Sequence, residues 1–206
     1  AQCTVIPYRE YTGDVPMQVF GKHNMQNLQA ACLVCEQIGV AKDDFYREIA
    51  TFTGASNRLE KITEKGNSVA YKDFAHSPSK LKATVNAVRE RYPDKQLIAC
   101  MELHTFSSLT EEFLKQYDGA MREADEAIVY FSPEAIALKK LPPITAEMIM
   151  KAFGREDLTV FNDSSAMQEK LMHINPDNTV LLMMSSGNFN GINVNELGKK
   201  IISLRP

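Results

Sequence analysis

The stretch Lys72-Asp73-Phe74-Ala75-His76-Ser77-Pro78 places a carboxylate and an imidazole where ligands often bind. It follows the alternating apolar run 67–71 and precedes a helix predicted over residues 78–91 from its apolar spacing. Asp73 and His76 therefore lie at the carboxyl end of a predicted strand, where open α/β sheets hold ligands. A carboxylate there can accept hydrogen bonds from ribose hydroxyls, and the following helix N-terminus favours anions. The alternative is an ordinary strand-to-helix connection in which Asp73 only caps the turn.

A second pair of polar side chains, Asn24 and Asn27, lies at the start of a helix predicted to end near residue 38. Residues three apart lie on the same side of a helix. Two carboxamides on one face can read the donor and acceptor edge of a purine. The alternative is helix capping and surface polarity.

The composition is that of an ordinary globular protein. The chain has 206 residues, 44% of them hydrophobic and 24% charged, with a net charge of −3. The mild acidity and the lack of a basic cluster argue against nucleic-acid binding. No apolar run approaches the roughly 20 residues needed to span a bilayer, so no membrane partner is predicted and a cytoplasmic location is expected.

Cys32 and Cys35 form a C-x-x-C pair, a spacing also found in redox and zinc sites. Here the pair falls inside a helical pattern, and no second C-x-x-C occurs. Both cysteines are interpreted as small buried hydrophobes, and no metal site is predicted.

The apolar pattern changes near residue 54, which suggests two parts, 1–53 and 54–206. The first part is read as strand material in 1–20 followed by two helices. The second begins with strands at 58–64 and 67–71, and strands then alternate with helices. The later strand cores are 97–101, 127–131, 158–161 and 179–184, and the helices lie near 78–91, 110–124, 145–153, 164–173 and 193–202. This order predicts an α/β fold: a mainly parallel Rossmann-like sheet covered by helices on both faces, preceded by a small strand-plus-two-helix segment.

Polar loops follow the strands of this predicted sheet. They are 102–105, 132–133, 162–165 and 185–188. Because parallel strands end at a common edge, these loops are expected beside Asp73, which favours a binding site there. The alternative is that such loops occur at the ends of any sheet.

Three separated motifs resemble those of the Mur ligase family, in the same order and spacing. They are Gly21-x-His23-Asn24-x-x-Asn27, Gly54-x-x-x-Arg58-Leu59-Glu60 and Asp73-Phe74-Ala75-His76-Ser77-Pro78. The resemblance implies that 1–53 is the tail of a central ATP-binding domain and that 54–206 is the C-terminal domain. Lys72, Leu59 and Ser77 depart from the residues usual in the family.

The resemblance also implies an ATP-driven amide ligation. In such a reaction the carboxylate of UDP-N-acetylmuramate attacks the γ-phosphate of Mg²⁺-bound ATP, and an amine then attacks the resulting acyl phosphate. Loops 102–108 and 184–192 most resemble members whose acceptor is the tripeptide L-alanyl-γ-D-glutamyl-meso-diaminopimelate (L-Ala-γ-D-Glu-meso-diaminopimelate). The alternatives are the C-terminal domain of a UDP-N-acetylmuramate–L-alanine ligase, or a non-catalytic ligand-binding module of the same fold.

By this resemblance, five residues are expected at ATP: Asn24 and Asn27 at the adenine, Asp73 at the ribose, Arg58 near the phosphates and His76 beside them. No G-x-x-x-x-G-K-[ST] phosphate loop occurs in the sequence. The chain is therefore expected to be the C-terminal part of a longer ligase and inactive alone. Mg²⁺ is expected to bind mainly outside it, and no catalytic residue is assigned within it.

The acceptor tripeptide is expected at the loops after two of the strands, at His104, Ser186, Gly187 and Asn188. Gly187 permits close backbone approach, and the serine and asparagine can hydrogen-bond peptide groups. His104 can contact a carboxylate of the acceptor. The alternative is that Gly187–Gly191 simply forms the turn into the final helix.

Overall fold

The chain divides into two compact units, Ala1–Gly54 and Ala55–Pro206. The structure is a computed structural model that describes residues 5–203. The first unit contains two helices, α1 (Lys22–Gln37) and α2 (Lys42–Ile49), and α1 ends close to the predicted residue 38. Leu28 and Cys32 of α1 pack against Phe45 of α2. Cys32 is fully buried in this cluster and Cys35 is half-buried beside it.

The strand predicted within residues 1–20 is not formed in residues 5–20, and residues 1–4 lie outside the described part of the chain. A strand needs a neighbouring strand to pair with its backbone groups. Within the described part of the first unit the regular elements are helices, so no such neighbour is present. Single contacts hold the segment instead, such as the N–H of Tyr11 donating to the carbonyl of Met25 at 3.2 Å.

The second unit is built on a six-stranded sheet with the order β1-β2-β6-β3-β4-β5. β1 runs antiparallel to β2, and every other neighbouring pair is parallel. The strands are β1 (Glu60–Lys65), β2 (Ser68–Asp73), β3 (Gln96–Leu103), β4 (Glu126–Phe131), β5 (Thr159–Phe161) and β6 (Thr179–Met184). The predicted α/β fold with a mainly parallel sheet is confirmed.

Helices cover both faces of this sheet. They are α3 (Pro78–Arg91), α4 (Glu111–Leu114), α5 (Pro133–Leu138), α6 (Ala146–Phe153), α7 (Ser164–Met172) and α8 (Val194–Ser203). Side chains alternate between faces along a strand, so Ile98 and Cys100 of β3 point to the same side. On that side they meet Met167 of α7 and Leu197 of α8, whereas α3 buries Leu81 against the other face. No helix within residues 5–203 has the length and apolar character needed to cross a membrane.

The helix predicted at 110–124 is wrong beyond its first turn. α4 is flanked by two single 3₁₀ turns, Ser107–Leu109 and Lys115–Tyr117, and Gly119 then takes a positive φ of 65°. Tyr117 stacks on Phe153 of α6 with ring centroids 5.0 Å apart and donates its hydroxyl proton to the carbonyl of His76. These tertiary contacts override the helical periodicity. The six-residue helix α5 was not predicted, because one and a half turns leave little periodic signal.

Candidate functional site

The five parallel strands all end at one edge of the sheet. Asp73 closes β2 beside Met184 of β6, and Leu103 of β3 lies beside Phe131 of β4. The loops that the sequence singles out for binding therefore leave from this edge. Open α/β sheets hold ligands at this edge, which makes it the candidate site of the second unit.

Asp73 is 8% exposed, and backbone groups occupy its carboxylate. Oδ2 accepts from the N–H of Leu59 at 2.7 Å, and Oδ1 accepts from the N–H of Ala75 at 2.7 Å. The hydroxyl of Thr84 on α3 lies 3.5 Å from Oδ1. Asp73 thus ties the loop before β1 to the loop after β2.

The loop before β1 has an unusual backbone. Asn57 and Leu59, neither of them glycine, take positive φ values of 56° and 43°. Such residues persist when surrounding contacts hold them, and they concentrate at functional sites. The carbonyl of Asn57 accepts from the N–H of Phe74 at 2.8 Å, which adds to the Asp73 contact. Arg58 lies between these two anchored residues with its side chain exposed, so its backbone is fixed while its guanidinium is open to solvent.

Glu60 supports the same loop from the side of β1. Its carboxylate accepts from the N–H of Asn57 at 2.8 Å and from the hydroxyl of Ser56 at 3.2 Å, and it pairs with Lys72 at 3.2 Å. The hydrogen bond from the Asn57 backbone and the nearby positive charge of Lys72 hold the pKa of Glu60 below its usual value. Lys72 departs from the family pattern, and Glu60 at the start of β1 is its partner in this ion pair.

His76 is half-buried after β2, and its Nδ1 lies 2.8 Å from the carbonyl of Phe74. Because a carbonyl only accepts, this contact places the proton on Nδ1 and leaves Nε2 as an acceptor. Its ring meets Phe74 edge to face at 5.3 Å. His76 and Asp73 thus lie at one end of β2, as predicted.

Asn24 and Asn27 belong to the first unit, in the opening turns of α1. The carboxamide nitrogen of Asn24 donates to the carbonyl of Phe20 at 2.8 Å, which fixes the side chain near the helix start. Asn27 is exposed, and the spacing of three places both on one side of the helix. Their predicted contact with adenine stays a prediction.

The part of the edge at the ends of β3 and β6 is organised by Glu102, a buried carboxylate near the end of β3 that is 2% exposed. Its Oε2 accepts from the hydroxyl of Ser185 and from the N–H of Phe189 at 2.9 Å. Its Oε1 lies 3.4 Å from Nδ1 of His104. One carboxylate therefore joins β3 to the loop after β6.

Two of the residues predicted to bind the acceptor, His104 and Gly187, lie close to Glu102. The N–H of Gly187 donates to the Ser185 hydroxyl at 2.7 Å. A β-carbon on Gly187 would lie 2.7 Å from Nδ1 of His104 and 2.8 Å from Oε2 of Glu102, so only glycine fits beside the ring. The structure thus brings His104 and Gly187 together.

Ser186 and Asn188 have different environments. The hydroxyl oxygen of Ser186 is buried and meets no hydrogen-bond partner within residues 5–203. Such an atom is normally paired in a folded protein, so a ligand group or ordered water at this point would satisfy it. Asn188 is exposed and uses Oδ1 to accept from the N–H of Gly191 at 3.0 Å, while its amide nitrogen remains available for a ligand. The predicted turn into α8 is also present, since the N–H of Ile192 donates to the Asn188 carbonyl at 2.9 Å.

The remainder of this loop is strained. Phe189, Asn190 and Gly191 have consecutive positive φ values of 49°, 57° and 92°. Phe189 is fully buried and packs on Tyr130 with ring centroids 6.2 Å apart. The Phe189 side chain and the Glu102 carboxylate together hold a backbone conformation that an unsupported loop would leave.

Asp73 and Glu102 lie on opposite faces of the sheet. Asp73 reaches Thr84 on the face of α3, whereas Glu102 reaches Phe189 on the face of α7 and α8. Ser185 connects them, because its N–H donates to the Asp73 carbonyl at 3.0 Å and its hydroxyl donates to Glu102.

A cavity of about 220 Å³ opens at the same edge, between the end of β2 and the loop after β6. Its polar lining includes Asn57, Lys72, Asp73, Asn188 and Asn193. Pockets that enclose a whole small molecule typically measure about 300–1,000 Å³. This cavity can therefore take only part of a nucleotide or peptide substrate.

Glu102 and Ser185 are the residues that the sequence reasoning missed as organisers of the site. Both fall in segments predicted as polar loops, although Glu102 lies within β3, and neither was selected. The available signal was a carboxylate following the apolar run Leu97–Met101, since a charge in a buried strand requires specific partners.

Comparison with known proteins places this site in a family. Residues 57–187, more than half of the chain, match the model "Mur ligase, glutamate ligase domain". The UDP-N-acetylmuramate–L-alanine ligase of Lactobacillus helveticus is 29% identical over 185 residues. That alignment covers 89% of this chain and 40% of the relative, so the chain spans well under half of that protein.

Solved structures share the fold. A UDP-N-acetylmuramate-alanine ligase from Thermotoga maritima superposes with a TM-score of 0.68 at 15% identity, over 90% of this chain and 38% of that one. A murein peptide ligase from Psychrobacter arcticus gives a TM-score of 0.61 at 21% identity, over 90% and 38%. At these sequence identities, the structural similarity shows that the chain shares the fold of these two structures.

Proposed function

The chain belongs to the Mur ligase family, and we propose that it is the C-terminal part of an ATP-dependent ligase that acts on UDP-N-acetylmuramate. Residues 1–53 are then the tail of the central domain, and 54–206 form the C-terminal domain. The family match over residues 57–187 is the observation that carries this proposal. The polar carboxyl edge of the sheet, with its anchored loops, supports it.

The reaction proceeds in two steps. The carboxylate of UDP-N-acetylmuramate attacks the γ-phosphate of ATP to form an acyl phosphate and ADP. The amine of the acceptor then attacks the acyl carbon, and phosphate leaves. Positioning and charge neutralisation account for most of such catalysis, and this chain contributes binding groups to both. We assign Mg²⁺ and the phosphate-binding loop to the rest of the ligase, as the family resemblance implies.

On the nucleotide side, Arg58 supplies a cation near the phosphates. Its loop is anchored on both sides by Asp73 and Phe74, so the guanidinium starts from a fixed backbone. Asp73, at the carboxyl end of β2, is assigned to the ribose, with His76 beside it. Asn24 and Asn27 contact the adenine.

Two acceptors are candidates. The tripeptide L-Ala-γ-D-Glu-meso-diaminopimelate is favoured by the pattern of loops 102–108 and 184–192. L-Alanine is favoured by the Lactobacillus helveticus relative, whose alignment covers 89% of this chain. In either case His104, Ser186, Gly187 and Asn188 bind the acceptor.

The test uses the full-length protein that contains this chain. Phosphate release is measured with ATP, Mg²⁺ and UDP-N-acetylmuramate, adding the tripeptide in one reaction and L-alanine in another. We expect release with one acceptor and the matching amide product by mass spectrometry. The 206-residue chain alone is the control and should give neither. A full-length protein that binds these ligands but releases no phosphate with either acceptor would be a binding module instead.

In the full-length ligase, the double variant Ser186→Ala with Asn188→Ala should raise KM for the acceptor about tenfold and leave KM for ATP unchanged. Each side chain that hydrogen-bonds the acceptor contributes about 0.5–1.5 kcal/mol, so two together approach a factor of ten or more. Initial rates with each substrate varied in turn measure both constants. Asn175→Ala, in an exposed loop away from this edge, is the control. Unchanged acceptor kinetics in a folded double variant would make this loop a scaffold only.

A further inference from the structure

We propose that Glu102 is a positioning residue that fixes the tautomer of His104, so that its unprotonated Nε2 accepts a hydrogen bond from the amino group of the acceptor. The tautomer is inferred from the 3.4 Å approach of Nδ1 of His104 to the Glu102 carboxylate. The contact with the acceptor rests on the proposed function. The two parts are tested by separate measurements.

The two oxygens of Glu102 have different partners. Oε2 receives the Ser185 hydroxyl and the N–H of Phe189, while Oε1 faces Nδ1 of His104 at 3.4 Å. Glu102 is 2% exposed, so water cannot readily replace these partners. A buried carboxylate needs polar groups around its oxygens, and Oε1 faces the imidazole at an ion-pair distance of 3.4 Å, longer than an ordinary N–H···O hydrogen bond.

This arrangement determines which ring nitrogen carries the proton. An ionised carboxylate only accepts hydrogen bonds, so a neutral imidazole facing it places its proton on Nδ1. The lone pair is then on Nε2, the nitrogen that Glu102 does not contact. The His104 side chain is 42% exposed, which leaves the ring accessible to a ligand.

Gly187 restricts the ring from another side. A β-carbon there would lie 2.7 Å from Nδ1 and 2.8 Å from Cγ of His104, well inside contact distance. The imidazole of His104 therefore lies between the buried Glu102 carboxylate and the backbone of Gly187. A ring confined in this way presents its free nitrogen in one direction, as a binding site for a specific donor requires.

The lone pair on Nε2 selects the chemical group that it meets. An amino group donates hydrogen bonds, whereas a carboxylate cannot. We therefore assign the acceptor's amino group to His104, rather than the carboxylate that the sequence suggested. In the proposed reaction this amino group is the nucleophile, so holding it at the sheet edge orients it for attack.

The test is the variant Glu102→Gln, which changes one heavy atom. The N–H of Phe189 can only donate, so it retains the amide oxygen of glutamine at the Oε2 position. The amide NH₂ must then face His104 at the Oε1 position. An NH₂ group donates, so Nδ1 becomes the acceptor and the proton moves to Nε2.

The readout is the side-chain ¹⁵N NMR spectrum of the histidines in the 206-residue chain, above the pH at which they protonate. We expect His104 to be mostly the Nδ1–H tautomer in the unmodified chain and mostly the Nε2–H tautomer in Glu102→Gln. His76 and His173 are internal references, because each Nδ1 lies 2.8 Å from a backbone carbonyl and should stay protonated in both. An unchanged His104 tautomer in Glu102→Gln would overturn the proposal.

Ser185→Ala is the matched control. It removes a donor to Oε2 but leaves Oε1 and its charge in place. A purely structural role for Glu102 would make both variants alter the His104 signals alike. We expect the tautomer to reverse in Glu102→Gln only.

The contact with the acceptor is tested in the full-length ligase. Glu102→Gln should raise KM for the acceptor tenfold or more with KM for ATP unchanged, since Nε2–H would then face the amino group. A reversed tautomer with unchanged acceptor KM would overturn the amine contact. If the unmodified ligase turned over neither acceptor, the proposed function would fail, and the NMR result would still decide the role of Glu102.

Discussion

Replacing Asp73 with alanine should lower the free energy of unfolding by about 3 kcal/mol, because two buried backbone donors lose their acceptor at once. The N–H groups of Leu59 and Ala75 both donate to this carboxylate at 2.7 Å, and both residues are buried. Leu59 also holds a positive φ that the contact supports. Urea unfolding of the 206-residue chain, followed by circular dichroism, measures the change.

Asp163→Ala is the matched control for that loss. Asp163 also accepts from two backbone N–H groups, those of Ser165 and Ala166, but at the exposed start of α7. Losing such a cap costs about 1 kcal/mol. If Asp73→Ala cost no more than Asp163→Ala, burial of the Asp73 contacts would not matter for stability.

The same Asp73→Ala substitution has a functional readout in the full-length ligase. A ribose hydroxyl that donates to a carboxylate contributes about 1.5–3 kcal/mol, so KM for ATP should rise about ten- to a hundredfold. The acceptor KM serves as the internal comparison. Unchanged ATP dependence in a folded variant would leave Asp73 with its loop-holding role alone.

The second large effect is expected from Phe189→Ala, which should cost about 3–5 kcal/mol, the usual range for truncating a fully buried phenylalanine. The ring is 0% exposed and packs on Tyr130, and it anchors a loop with three consecutive positive φ values. Losing it both opens a cavity and releases the strained backbone. Thermal and urea unfolding of the chain report the loss.

Phe106→Ala is the control for aromatic truncation. Phe106 is 59% exposed, so its removal should change stability by no more than about 0.5 kcal/mol. Hydrogen exchange at the backbone amide of residue 189 reports on the loop. We expect this amide to be protected in the control and to exchange fast in Phe189→Ala. Similar unfolding energies for the two variants would show that the loop does not depend on this anchor.

The sheet was predictable from sequence because its central strands β3, β4 and β6 are mostly apolar and the strands alternate with helices that have apolar faces. Thr179–Met184 is a case in point, since all six residues are buried and the predicted bounds match the structure. Predictions were wrong where tertiary partners decide the backbone. The residues 110–124 have a helical period, yet Tyr117 stacks on Phe153 and the chain turns away at Gly119, which has a positive φ.

The candidate site was predictable in outline only. The common edge follows from parallel strands, and it places Asp73 and His76, His104, and the segment 186–188 at the ends of β2, β3 and β6. The sequence does not reveal that Asp73 and Glu102 lie on opposite faces, because that depends on strand register. The left-handed backbone at Leu59 was also hidden, since leucine rarely adopts it and gives no local signal.

The two outermost strands of the sheet affect how the protein behaves at high concentration. β1 forms one border, with charged residues at Lys61, Glu64 and Lys65 and a bulge between Lys61 and Thr63. β5 forms the other and is only three residues long. Border strands that are charged, bulged or short resist recruiting strands from other molecules. Strand-mediated aggregation through either border is therefore disfavoured, which suits the chain to the millimolar samples that histidine NMR requires.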